Sequence, residues 1–156
     1  MMLVAVAASV RAAALPPAVA AELRALTDQC RDVGGTPHAD KAVTQVDLTG
    51  DGKGDYVLDV AAIDCEGAAA VYGDREKGVT VYVGDGSGGA TKAFGDAVYG
   101  VKIEGGKVWL TVSGAQCGKP PAPDFAHESF CDRALVWNGT TRKLGYAPVS
   151  SVRMIQ

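Results

Sequence analysis

Three aspartates around a glycine-rich turn are the residues whose spacing suggests chemistry. They stand at the start, middle and end of the segment Asp47-Leu-Thr-Gly-Asp51-Gly-Lys-Gly-Asp55. Carboxylates this close repel one another unless a cation or backbone donors compensate their charge. Hard cations such as Ca²⁺ prefer several oxygen ligands in a flexible shell. The segment therefore predicts a calcium loop.

The expected ligands combine carboxylates with a hydroxyl and a backbone carbonyl. They are Asp47, Thr49 (directly or through water), Asp51, Lys53 (through its carbonyl) and Asp55. Gly52 permits the sharp turn around the ion. An EF-hand would need Glu at the twelfth position, where Leu58 stands in an apolar run, so an EF-hand is excluded. The competing interpretation is a metal-free turn, because Asp and Gly are favoured in turns.

A second cluster of polar residues suggests hydrolytic chemistry: Asp124, His127 and Glu128. No nucleophile stands at useful spacing from it. A hydrolase would therefore need these residues to meet the Asp47 loop in one pocket. The four cysteines and two histidines show no zinc-ligand spacing, so zinc is not expected.

Composition indicates one soluble globular domain. The chain has 156 residues, 47% hydrophobic and 21% charged, which is enough for a real core. Its net charge is −3, with no run of Lys or Arg. Nucleic acid and anionic membrane surfaces are therefore poor candidate partners, and a monomer is expected.

The N-terminus resembles a secretory signal peptide. An apolar run is followed by Ala12-Ala13-Ala14, which provides small residues for cleavage. We therefore expect a signal peptide at residues 1–14, a β-rich domain at 15–156, and a periplasmic or secreted location with no membrane span after cleavage. An alanine-rich terminal helix is the alternative interpretation.

Four cysteines behind such a signal indicate two disulfides in an oxidising compartment. They are Cys30, Cys65, Cys117 and Cys131. Three pairings are possible. We favour Cys30–Cys65, which joins a helix to a nearby strand end, and Cys117–Cys131, which closes an irregular proline-rich segment.

The surrounding pattern predicts an α+β fold that is mostly β. An amphipathic helix follows Pro17, with its apolar face at Val19, Leu23, Leu26 and Cys30. It should pack on an antiparallel sheet of hairpins. Strands are expected at 43–46, 56–63 and 79–83.

Two hairpins are predicted in the second half of the chain. One joins residues 99–103 and 108–112 through a turn containing Gly105 and Gly106. The other joins 134–137 and 140–144 through a two-residue turn at Asn138-Gly139, a strong hairpin signal.

The aspartate loop resembles the Asp-x-Asn/Asp-x-Asp-Gly-x-x-Asp loops of FG-GAP and VCBS-type repeats, except that Thr49 replaces Asn or Asp. More broadly, Cys30-Arg-Asp-Val-Gly-Gly35, the segment 47–59 and Cys65 resemble a group of small exported bacterial proteins with one such loop. That resemblance implies a single calcium site between two strands and implies no biochemical activity.

Three functions follow as hypotheses. The first is a non-enzymatic domain with one structural calcium, acting through contacts with an unidentified protein or envelope component. The second is a module that binds a small ligand or glycan through exposed aromatics, with Trp109, Tyr72 or Tyr82 as candidates. The third is the metal-assisted hydrolase described above.

Overall fold

The computed structural model describes residues 14–155, in which one N-terminal helix precedes antiparallel strands. The predicted signal peptide therefore lies outside the described residues, except for Ala14. The predicted α+β, mostly β fold is confirmed. The helix is α1 (Pro17–Asp32), and the strands are β1 (Thr36–His38), β2 (Val43–Val46), β3 (Asp55–Asp59), β4 (Asp64–Glu66), β5 (Lys77–Gly84), β6 (Ala90–Val98), β7 (Gly100–Glu104), β8 (Lys107–Ser113), β9 (Phe130–Asn138), β10 (Lys143–Tyr146) and β11 (Arg153–Met154).

The strands form two main sheets and one small ribbon. The inner sheet has the order β2-β3-β5-β6, and the outer sheet has the order β10-β9-β8-β7 with β11 also paired to β9. Strands β1 and β4 form the ribbon. All these pairings are antiparallel.

Helix α1 packs on one face of the inner sheet through the predicted apolar face. Val19 and Cys30 are fully buried, and Leu23 and Leu26 pack against Leu58 and its neighbours. Pro17 suits the first turn because it lacks only a donor that would be unpaired there. The helix ends before Gly34, whose φ of 86° favours glycine.

The inner sheet is consequently covered on both faces. Alternate residues of β5, Val79, Val81 and Val83, face the outer sheet and share a core with Leu110. Tyr82, which points the other way, belongs to the cluster beneath α1. The predicted alternation of β5 is therefore confirmed, and both of its faces are buried.

The outer sheet is covered on one face only. Val108, Leu110 and Val112 point into the core. Among residues 14–155, no α-helix is layered on the opposite side, which we call the outer face. Its central residues are Lys102, Trp109, Thr111, Asp132 and Arg153, which the strand register places side by side.

The two predicted hairpin turns have different outcomes. The β7–β8 turn at Gly105-Gly106 is confirmed, and both residues have the positive φ that a two-residue turn requires. The Asn138-Gly139 turn is wrong, because Asn138 still pairs with Lys143. The Asn138 side chain instead accepts hydrogen bonds from the backbone N–H groups of Thr140 and Thr141, which widens the loop.

Both predicted disulfides, Cys30–Cys65 and Cys117–Cys131, are present. The first joins α1 to β4, and the second joins the end of the turn after β8 to β9. Two disulfides indicate an oxidising, extracytoplasmic environment. Within residues 14–155, no helix is long and apolar enough to cross a membrane.

Candidate functional site

The aspartate loop connects β2 to β3 at one end of the inner sheet. Asp47 follows the last residue of β2, and Asp55 begins β3 opposite Val46. Gly50 and Gly52 both have a φ of 78°, so the chain can fold tightly around the side chain of Asp47.

The carboxylate of Asp47 is surrounded by backbone donors of its own loop. It accepts hydrogen bonds from the N–H groups of Gly52 at 2.8 Å, Gly50 at 2.9 Å and Thr49 at 3.2 Å. These bonds, that from Gly52 foremost, hold the pKa of Asp47 below its ordinary value. Asp47 is therefore anionic at neutral pH.

Asp55 has a different role, because its carboxylate links two strands. It is fully buried and accepts hydrogen bonds from the N–H of Leu48 at 2.7 Å and from the N–H of Gly84, the last residue of β5, at 3.0 Å. Burial raises the pKa of Asp55, and the negative charge of Asp51 adds to that rise.

The remaining predicted ligands lie between these two aspartates. Asp51 accepts a hydrogen bond from the N–H of Lys53 at 2.9 Å. The hydroxyl oxygen of Thr49 is buried and has no hydrogen-bond partner among residues 14–155. Across residues 14–155, no group of three or more His, Cys, Asp and Glu side chains is arranged to hold a metal ion. The loop thus gathers the five predicted residues, but their carboxylates are turned to backbone donors.

A groove opens beside this loop, at the same end of the molecule. It has a volume of about 390 Å³ and lies between the loop and the β7–β8 turn. Its apolar wall consists mainly of Val108, Leu135, Trp137 and Leu144. Asp47 lies on one lip and Lys107 on the other. We call this cavity the end groove.

The end groove was not predicted from the sequence. The sequence does place Leu135 and Trp137 at alternate positions of β9. This alternation could not predict a groove, because the groove also needs two segments that are distant in sequence. The Asp47 loop and the β7–β8 turn are about 60 residues apart, and only the packing of the two sheets brings them together.

Two of the three candidate ligand-binding aromatics, Tyr72 and Tyr82, contact α1. The Tyr72 hydroxyl donates to the backbone carbonyl of Leu26 at 2.6 Å, and the Tyr82 hydroxyl donates to the carboxylate of Glu22. Both rings therefore serve the contact with α1. Trp109 lies on the outer face as a cover, with the Arg153 guanidinium 3.6 Å from its ring centroid.

The residues of the hydrolase hypothesis do not converge. Asp124 and His127 form an exposed pair at 2.6 Å, and Glu128 lies against Gly114, just beyond the end of β8. Asp47 lies near Gly106, just before the start of β8. A seven-residue strand separates the two groups by roughly 20 Å. They cannot share one pocket.

Comparison with known proteins identifies no relative: no protein family, curated protein or solved structure matches the chain.

Proposed function

We propose that this chain is a non-enzymatic periplasmic or secreted domain that acts by contact with another protein. The observation that carries the proposal is the uncovered outer face. A sheet face without a second layer leaves its side chains available to a partner, while the rest of the domain supplies rigidity.

The composition of the outer face suits a protein partner. Trp109 lies beneath Arg153, whose guanidinium also pairs with Glu104 at 3.1 Å. Tryptophan and arginine are the residue types most enriched where protein interfaces bind tightly. Both are held in place by their neighbours, so little side-chain entropy is lost on binding.

An ion pair between a half-exposed lysine and a buried aspartate fixes the centre of this face. The ammonium of Lys102 lies 2.6 Å from the carboxylate of Asp132, which also accepts a hydrogen bond from the Thr111 hydroxyl at 2.7 Å. Asp132 is only 5% exposed. These contacts pre-organise the surface around Trp109 and favour a partner of mixed charge over a purely basic or acidic one.

The test is capture from an envelope extract with matched charge reversals. We expect the wild-type domain to retain a protein that Arg153→Glu loses. Arg24→Glu makes the same charge change on the exposed surface of α1 and should retain it. Equal capture by the two variants, or capture of nothing by the wild type, would overturn the proposal.

We also propose that the Asp47 loop holds one structural Ca²⁺. The support is its all-oxygen donor set, the glycines at its turns and the Thr49 hydroxyl, which has no partner. Asp55, held by Leu48 and Gly84, would then brace the loop from the strand side. The expected affinity is weak, on the order of 10⁻⁴–10⁻³ M.

Melting curves in calcium and in chelator test this ion. For that affinity, 10 mM Ca²⁺ should stabilise the domain by about 1–3 kcal/mol, a rise in Tm of roughly 5 °C. Asp51→Asn should remove the rise, whereas Asp40→Asn, an exposed aspartate outside the loop, should keep it. Identical wild-type curves in calcium and in chelator would refute the calcium site.

A further inference from the structure

We propose that the end groove binds a small zwitterion with an apolar side chain, of the class of an aromatic α-amino acid. The inference does not rest on the outer face. It concerns the calcium-free loop, because Asp47 and Thr49, which line the groove, are also expected calcium ligands. It rests on the shape, the wall and the charges of the groove.

The size and wall of the groove suit such a molecule. Its volume of about 390 Å³ lies in the range of small-molecule sites, which are mainly apolar with a few placed polar groups. Val108, Leu135 and Leu144 are all buried core residues, so the groove reaches down to the core. Trp137 adds an aromatic surface against which a ring can pack.

Opposite charges on the two lips favour a ligand that carries both signs. Asp47 lines one lip, and Lys107, the exposed first residue of β8, lines the other. Among residues 14–155, neither takes part in a salt bridge. An ammonium group would meet Asp47 and a carboxylate would meet Lys107.

An unpartnered hydroxyl in the wall supports a polar ligand. Thr49 lines the groove, and its hydroxyl oxygen is buried without a hydrogen-bond partner. A buried polar atom in that condition costs free energy that a partner from the groove would recover.

Glycines keep the mouth of the groove open. Gly50, Gly105 and Gly106 line it, and their positive φ values, 78°, 57° and 73°, explain why side chains are absent there. Both lips therefore present backbone groups that a ligand can approach closely.

Tryptophan fluorescence gives a direct readout. The chain has two tryptophans, so Trp109→Phe leaves Trp137 as the single reporter inside the groove. We would titrate this protein, in chelator, with L-phenylalanine, 2-phenylethylamine and 3-phenylpropionate. The three probes share the ring, and the last two lack the carboxylate and the ammonium group respectively.

We expect L-phenylalanine to give a saturable change and each single-charge probe to bind more weakly, by up to about fivefold. Lys107→Gln should make L-phenylalanine and 2-phenylethylamine bind equally. Lys119→Gln, the same change beyond the far end of β8, should leave the difference intact. Both lysines are exposed, so neither variant should disturb folding.

The inference fails if L-phenylalanine gives no saturable change, if the three probes bind equally, or if the two lysine variants behave alike. Because the titration is done in chelator, its result is separate from the calcium test. Retention of the captured protein is separate as well, because Lys107 is not among the outer-face residues that define the contact.

Discussion

The inner and outer sheets are built from the same alternating pattern but differ in what covers them. In the inner sheet, Val81 faces the core and Tyr82 faces helix α1. In the outer sheet, Leu110 faces the core, whereas Trp109 faces outward, with the Arg153 guanidinium above its ring. Alternation alone therefore does not show whether the second face of a strand is covered.

Side chains under α1 contribute to the stability of the fold, whereas those on the outer face are available to a partner. On the inner sheet, Thr80 and Tyr82 point away from the core and are held by Glu22 of α1. On the outer face, Lys102 and Thr111 bind Asp132, and Arg153 binds Glu104. A partner can therefore engage the outer sheet without displacing any element of the fold.

The largest effect should come from removing the disulfide beside the inner sheet. Cys30–Cys65 spans 35 residues and Cys117–Cys131 spans 14. The loop-entropy treatment gives about 4 kcal/mol for the first and about 3 kcal/mol for the second. Replacing each pair with alanine and measuring urea unfolding should show that order. The reverse order would place the main constraint on the outer sheet.

Side-chain truncation should distinguish the covered face of the inner sheet from the uncovered face of the outer sheet. Leu58 lies fully buried beneath α1, and Val136 on the outer sheet is 52% exposed. Leu58→Ala should cost about 3 kcal/mol, and Val136→Ala should change the free energy of unfolding by less than about 0.5 kcal/mol. A large cost for Val136→Ala would mean that something covers the outer sheet in solution.

The smallest expected effect is on the pH dependence of stability. It has opposite signs for Asp132, on the outer sheet, and Asp55, on the inner sheet. Asp132 is buried, which opposes ionisation, but Lys102 and Thr111 outweigh this and lower its pKa. Ionised Asp132 therefore stabilises the folded state at pH values above its pKa in the unfolded chain, about 3.9. This stabilisation is lost as the pH falls through its lower pKa in the folded state. Burial raises the pKa of Asp55, so its unfavourable contribution is relieved on acidification, below its folded pKa.

Carboxyl NMR titration would measure both groups. The midpoint of Asp55 should lie above the ordinary aspartate value and that of Asp132 below it. Lys102→Met should raise the Asp132 midpoint and leave the Asp55 midpoint unchanged, because Lys102 lies on the outer face. A shift of both midpoints would show that the two regions are coupled.

Much of the local structure could be predicted, because it depends on short-range rules. The helix face of Val19 and Cys30 and the Gly105-Gly106 turn follow from spacing within short segments. The favoured disulfide pairing followed from expecting the end of α1 near a strand end and a closed proline-rich segment between Cys117 and Cys131. The Asn138-Gly139 turn failed because the Asn138 side chain binds the backbone two and three residues ahead, which stabilises a wider loop. Strand β3 ends at Asp59, earlier than predicted, because Asp59 caps a short helical turn.

The candidate site was only partly predictable. The loop and its five residues were found from sequence, but the bond from Asp55 to Gly84 joins residues 29 positions apart and depends on strand pairing. Burial of Tyr82 depends on where α1 packs, which periodicity does not specify. The end groove depends on how two sheets meet, so no local pattern could reveal it.

The bonds from Glu22 to β5 also bear on the order of folding. They span 58 and 60 residues, so the partner of α1 leaves the ribosome or the export channel long after the helix does. A 16-residue helix is marginal in water by itself. Its apolar stripe packs on Leu58 of β3 and Tyr82 of β5, so we expect α1 to dock completely only after β5 has paired with β3.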